Sequence, residues 1–112
     1  MYSVFDLYIK SYIEKNKKVV LWGTGIISQN LLEKSSNLKK LISTVIDSNS
    51  DRQELNFFNF RIKSPISLKQ SEVDIIIVAS IAFVDDIIYD IINNYRIKAT
   101  IISCKGIIQS NL

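Results

Sequence analysis

The chain has 112 residues, the length of one domain in which helices cover both faces of a central sheet. Its 14 basic and 11 acidic residues give a formal charge of +3. The basic residues are spread along the chain, which argues against a nucleic-acid partner. The absence of histidine excludes a Ser-His-Asp triad, a Cys-His pair and a His-ligated metal site, and a single cysteine excludes an intrachain disulfide. We therefore expect no metal.

No apolar run approaches the roughly 20 residues that span a bilayer. The first residues, Met1 to Asp6, lack the basic start and the small-residue cleavage site of a signal peptide. The expectation is a cytoplasmic protein without a membrane partner.

Helical and strand patterns alternate along the chain, with apolar β-branched runs for buried strands and a 3.6-residue period for helices. In chain order, the predicted elements are a helix (3–15), a strand (18–22), a helix (26 to about 38), a strand (41–47), a half-buried edge strand (57–62), a helical turn (67–70), a strand (73–79), a helix (81–94), a strand (99–102) and a short pairing (107–108). This alternation predicts an α/β three-layer sandwich with a mostly parallel sheet in strand order 3-2-1-4-5. We expect one domain over 1–112, with an N-terminal helix in 1–16 and a core over 17–103.

The strongest local feature is the turn Gly23-Thr24-Gly25-Ile26-Ile27-Ser28 between a predicted strand and a helix. It has the form G-x-G-x-x-S, whereas the dinucleotide-binding fingerprint prefers Gly or Ala at the last position. Gly23 permits a tight turn, Gly25 leaves the backbone open to a pyrophosphate, and Ser28 is small enough for close packing of helix and strand. The unpaired N–H groups at the helix start then face an anion. A tight turn without a ligand is the alternative.

Asp47 ends the second predicted strand, 22 residues after Gly25, close to the roughly 20-residue spacing of an acidic ribose ligand. A carboxylate there can accept hydrogen bonds from ribose hydroxyls and would repel a 2′-phosphate, which favours NAD or a nucleotide-sugar over NADP. Arg52 counts against this preference, because an arginine can host such a phosphate. The alternative is that Asp47 only caps the following turn, with Ser48 and Asn49.

Ser80 follows the strand 73–79, so it is expected at the carboxyl end of the sheet, beside the glycine turn. It is predicted to cap the next helix, to contact the ligand, or to do both. The residues predicted to bind the ligand are Gly23, Thr24, Gly25, Ile26, Ile27, Asp47, Ser48 and Ser80. No tyrosine is followed by lysine in a Tyr-x-x-x-Lys arrangement, and no catalytic residue is assigned.

Segments 19–25, 45–49, 60–65 and 74–80 together resemble the N-terminal Rossmann-like nucleotide-binding domain of bacterial sugar-modifying proteins. That group includes sugar acetyltransferases and nucleotide-sugar epimerase/dehydratases of surface-glycan pathways. The resemblance implies a Rossmann-like fold that contacts a UDP-sugar or NAD through Gly23, Thr24, Gly25 and Asp47, with Ser80 in the next loop. The catalytic regions of those proteins have no counterpart here, which implies a binding domain, a fragment or one piece of a larger assembly. The pattern is also similar, less closely, to NAD-binding domains of redox-sensing repressors and potassium-channel regulators.

Three functions stay open at this point. The chain is a nucleotide or nucleotide-sugar binding module without its own catalysis. Alternatively, it is an enzyme or enzyme subunit, of the epimerase/dehydratase or NAD-dependent oxidoreductase kind, in which Ser80 or a partner residue moves protons. The third hypothesis is a structural or oligomerising domain with a vestigial cleft. The apolar edge at 57–60 favours pairing with a second copy or with a partner catalytic domain.

Overall fold

The computed structural model describes residues 17–110, so the helix predicted over 3–15 lies outside the described residues. The strands are β1 (Val19–Trp22), β2 (Ile42–Ile46), β3 (Asn56–Phe57), β4 (Phe60–Arg61), β5 (Ile75–Val78), β6 (Thr100–Ser103) and β7 (Gly106–Gln109). The helices are α1 (Ile26–Lys34), α2 (Ser36–Leu41) and α3 (Val84–Tyr89), which continues into a π-helical turn (Asp90–Asn94). Short 3-10 turns lie at Pro65–Ser67 and Gln70–Glu72, on either side of the predicted turn at 67–70.

Five strands form one sheet in the order β2-β1-β5-β6-β7. The first four are parallel, and β7 runs antiparallel to β6. The predicted α/β class and mostly parallel sheet are confirmed, as is the order of the first, second, fourth and fifth predicted strands. The short pairing predicted at 107–108 is a full four-residue strand.

The third predicted strand takes a different form. Residues 57–62 do not make one extended strand, because Phe58 and Asn59 have positive φ angles of 50° and 70° and turn the chain back on itself. The result is the two-stranded hairpin of β3 and β4. The segment still reaches the predicted edge of the main sheet, where Lys63 forms a single parallel bridge with Ile46.

Both faces of the sheet are buried, since all residues of β1 and β5 are inaccessible to solvent or nearly so. Side chains alternate between the faces along each strand. One face packs against α1, α2 and the hairpin, through residues that include Leu31, Leu32, Leu38 and Phe57. The other face packs against α3 and the segment that follows it, through residues that include Val84, Ile91 and Ile97. Helices on both faces make the predicted three layers.

A serine hydroxyl caps α2, and another accepts a hydrogen bond in the turn before α3. Ser35 breaks the helix predicted from 26 to about 38, because its side chain accepts the N–H three residues on, at 3.2 Å, and caps α2. Ser80 accepts the Phe83 N–H at 3.1 Å, and α3 begins at the following residue rather than at the predicted residue 81. Within residues 17–110, no helix has the length and apolar character to cross a membrane.

Candidate functional site

An open cleft of about 910 Å³ lies where β1, β2 and β5 end. The turn after β1 forms its floor, the loop after β2 forms one wall, and the loop after β5 with the start of α3 forms the other. Every residue predicted to bind the ligand lines this one cleft: Gly23, Thr24, Gly25, Ile26, Ile27, Asp47, Ser48 and Ser80. The sequence did not assign other lining residues, among them Asn49, Arg52, Ile81, Phe83, Asp86 and Asp90.

The two glycines of the floor differ in what the fold demands of them. Gly23 has a φ of 107°, and a Cβ there would lie 3.2 Å from the carbonyl oxygen of Ala79. Gly25 has φ −88° and ψ −159°, which any residue adopts, and a Cβ there would meet no protein atom within 4 Å. The fold therefore requires glycine at position 23 but not at position 25, where the missing side chain leaves room in the cleft.

The start of α1 presents backbone donors to the cleft. Gly25 is the N-cap and provides no side chain to accept from the first turn, which also contains no acidic residue. The first N–H groups of a helix have no intrahelical acceptor, and the helix dipole adds positive potential there. The buried Ser28 hydroxyl donates to the Gly23 carbonyl oxygen and holds the helix against the turn. This arrangement is suited to an anion.

Asp47 connects the floor to the wall that follows β2. Its Oδ2 accepts from the Thr24 backbone N–H at 3.0 Å and from the Thr24 hydroxyl at 2.5 Å. Its Oδ1 accepts from the Asn49 N–H at 2.9 Å. Asp47 thus lies in the cleft and also caps the following turn. A carboxylate has about four acceptor positions, and protein donors fill three of them here.

Arg52 folds back over the same turn. Its Nε donates to the Thr24 hydroxyl at 3.1 Å, and its Nη2 donates to the Thr24 carbonyl oxygen at 3.0 Å. The side chain is half-buried and forms no ion pair with a carboxylate of the described residues. A guanidinium held only by neutral oxygens therefore lines the cleft.

Trp22 lies beneath the wall that follows β2. The indole is fully buried, its ring centroid is 5.7 Å from that of Tyr95, and its Nε1 donates to the Ser48 hydroxyl at 3.1 Å. The ring thus belongs to the core, while its polar edge fixes a side chain of the cleft.

The rim of the cleft is apolar at the start of α1 and on the wall formed after β5. Ile26 and Phe83 line the cleft and are 68% and 65% exposed, so both side chains offer apolar surface to a ligand. Ser80, on the wall formed after β5, accepts the Phe83 N–H in the turn that precedes α3, whose N-cap is Phe83 and has no side-chain cap. Ser80 therefore caps this turn and not the helix itself, and its contact with a ligand stays a prediction. Among residues 17–110, no group of three or more His, Cys, Asp or Glu side chains could hold a metal ion.

A parallel sheet covered on both faces, with a glycine turn and a cleft at its carboxyl edge, defines a Rossmann-like α/β domain. The family described as C2185-like, N-terminal, matches residues 15–103, and the chain belongs to that family. Among curated proteins, no sequence matches the chain.

Two solved structures share the fold. Aspartate semialdehyde dehydrogenase II from Vibrio cholerae, complexed with ASA, is 13% identical with a TM-score of 0.51, over 77% of this chain and 30% of that one. RSP, a Rex-family repressor, is 14% identical with a TM-score of 0.57, over 99% of this chain and 56% of that one. The chain thus spans less than a third of the dehydrogenase and little more than half of the repressor, and the likeness at this identity establishes the fold.

Proposed function

We propose that this domain binds a nucleotide or nucleotide-sugar, of the NAD or UDP-sugar type, by its phosphates, as a binding module without its own catalysis. The observation that carries the proposal is Gly25. Its backbone conformation suits any residue, and a side chain there would meet no protein atom within 4 Å. The space in front of the α1 amides is therefore kept open by the absence of a side chain, which serves a ligand that approaches the backbone.

The glycine-turn side of the cleft supports an anionic group, and its rim offers apolar surface. The α1 amides favour a phosphate, and the Arg52 guanidinium lies within the same cleft, whereas the carboxylates of Asp86 and Asp90 line the side formed by α3 and the turn that follows it. At the rim, Ile26 and Phe83 present apolar surface that suits a base or a nicotinamide ring. A volume of about 910 Å³ falls in the range of small-molecule sites.

The proposed role in surface-glycan modification rests on the sequence resemblance alone. Similarity to the N-terminal domains of sugar-modifying proteins favours a nucleotide-sugar and a role in surface-glycan modification, with the chemistry supplied by another domain or by a partner chain. The spread of basic residues along the sequence supports a small molecule over a nucleic acid as the ligand. We propose the cytoplasm as its location.

The test is binding of NAD, NADP, UDP-sugars, coenzyme A and S-adenosylmethionine to the purified chain. Binding is measured as the change in thermal unfolding that each compound causes. A ligand at about 100 times its dissociation constant should add about 2.7 kcal/mol to the free energy of unfolding. Mass spectrometry of what the protein releases on denaturation identifies a ligand retained through purification. Unchanged unfolding with every compound, and no released nucleotide, would contradict the proposal.

A further inference from the structure

The carboxylate expected to bind the ribose is already engaged within the protein. Thr24 supplies two donors to one oxygen of Asp47, and Asn49 supplies one to the other. A ribose with both hydroxyls free offers two donors to this group and finds about one acceptor position left. Asp47 is thus arranged to hold the glycine turn against the β2 loop, and it is a poor partner for a ribose diol.

Arg52 presents the complementary chemistry on the same wall, five residues further along the chain. Two of its N–H groups are held by Thr24, and the remaining donors have no acceptor among the described residues. A planar guanidinium with unused donors matches a phosphate group better than it matches a hydroxyl. In this fold, an arginine beside the end of the second strand lies where a ribose phosphate is accommodated.

The negative charge of Asp47 does not prevent a phosphate from binding to Arg52, because the carboxylate is compensated by donors within the protein. Its carboxylate accepts three hydrogen bonds from the protein, and the Thr24 hydroxyl links it to the Arg52 guanidinium. The α1 amides and Arg52 both line the cleft and supply two sets of donors that suit anionic groups. The first suits the phosphate attached to the ribose 5′ position, and the second is available to another phosphate on the same ribose.

We infer that Arg52 binds a phosphate on the ribose of the ligand, so that the cleft prefers a ribose-phosphorylated nucleotide to one with free ribose hydroxyls. The inference rests on the part of the proposed function in which the domain binds a nucleotide by its phosphates. It replaces the NAD or UDP-sugar type of ligand, which Asp47 favours in the sequence, by a nucleotide with a phosphorylated ribose. The chemistry is a phosphate monoester at either the 2′ or the 3′ position.

Calorimetry on the full chain with adenosine 5′-monophosphate, adenosine 2′,5′-bisphosphate and adenosine 3′,5′-bisphosphate tests the inference. The base is the same in all three, so the ratio of dissociation constants reports the added phosphate. We expect one bisphosphate to bind at least about 10-fold more tightly than the monophosphate. The bisphosphate that does so identifies whether Arg52 contacts the 2′ or the 3′ phosphate.

Variants assign that preference to Arg52. Arg52→Gln should bring the ratio close to 1, and Arg52→Lys should retain part of it because the charge remains. Loss of a purely structural contact would weaken all three ligands together and leave the ratio unchanged. Arg61→Gln is the matched control, because Arg61 is exposed, pairs with Glu54 and lies outside the cleft, so the ratio should stay at its wild-type value.

Equal affinities in the wild-type protein, or a ratio that Arg52→Gln leaves unchanged, would overturn the inference. Binding of NAD or a UDP-sugar without binding of either bisphosphate would also overturn it, while the proposed function would stand. Failure of every nucleotide to bind would remove both.

Discussion

Replacement of Gly25 by alanine separates the needs of the fold from those of the ligand. The new methyl group would meet no protein atom within 4 Å, and the backbone there already has angles that alanine adopts. Alanine restricts the unfolded chain, which favours folding by about 0.4–1 kcal/mol, whereas alanine is a poorer N-cap residue than glycine. The two effects oppose each other, so Gly25→Ala should change the free energy of unfolding by less than about 1 kcal/mol.

Nucleotide affinity, by contrast, should fall clearly in Gly25→Ala. The methyl group would occupy the space in front of the α1 amides, so the ligand phosphate loses its hydrogen bonds to them. Hydrogen bonds to charged groups contribute about 1.5–3 kcal/mol each, and losing one weakens binding by about 10- to 150-fold. The measurements are urea unfolding without ligand and calorimetry with the tightest nucleotide found.

Gly23→Ala is the control for this experiment. Its φ of 107° and the 3.2 Å approach to the Ala79 carbonyl oxygen predict a loss of about 1–3 kcal/mol in stability. Two results would refute the reasoning on Gly25: nucleotide affinity equal to the wild type, or destabilisation as large as that of Gly23→Ala. The first would favour a vestigial cleft in a structural domain.

Three further substitutions test other parts of the structure. Asp47→Ala removes three hydrogen bonds and should lower the free energy of unfolding, measured in urea, by about 1–3 kcal/mol. Asp47→Asn should lose less stability because one acceptor oxygen remains. Equal stability of both variants and the wild type would contradict the role of Asp47 in holding the glycine turn against the loop after β2. Phe83→Ala should change the free energy of unfolding by less than about 0.5 kcal/mol, because the residue is 65% exposed. The same substitution should weaken nucleotide binding about 2- to 10-fold. Unaltered affinity in calorimetry would show that the ring does not contact the ligand. Ile77→Ala, at a fully buried position of β5, should cost about 2–5 kcal/mol, and a loss below about 1 kcal/mol would mean that the core relaxes around the cavity.

The parallel strands could be predicted because strands that are buried on both faces consist of continuous apolar residues. Ile75–Val78 is apolar throughout, as a strand covered on both faces must be, and all its residues are buried. The hairpin at 57–62 could not be predicted in this way. Alternating aromatic and polar residues favour a strand, and the positive φ at Phe58, which phenylalanine rarely adopts, carries no sequence signal.

The site was predictable where backbone chemistry restricts the choice of residue. A glycine turn between a strand and a helix, and an acid at the end of the next strand, do line one cleft. Arg52 was named in the sequence only as an arginine that can host a ribose phosphate, and it was not placed among the ligand-binding residues, because no spacing rule tells which side chain of a polar loop folds back. The engagement of Asp47 was likewise beyond the sequence, because it depends on where the Thr24 hydroxyl and the Asn49 N–H lie in space.

The position of Trp22 has a practical consequence. The chain contains a single tryptophan, so intrinsic indole fluorescence comes from one place. That ring is shielded from water, yet its N–H is hydrogen bonded to Ser48 on the inner surface of the cleft. A ligand that shifts Ser48 should change the electrostatic surroundings of the indole, so the emission of Trp22 offers a way to follow ligand binding without an attached dye.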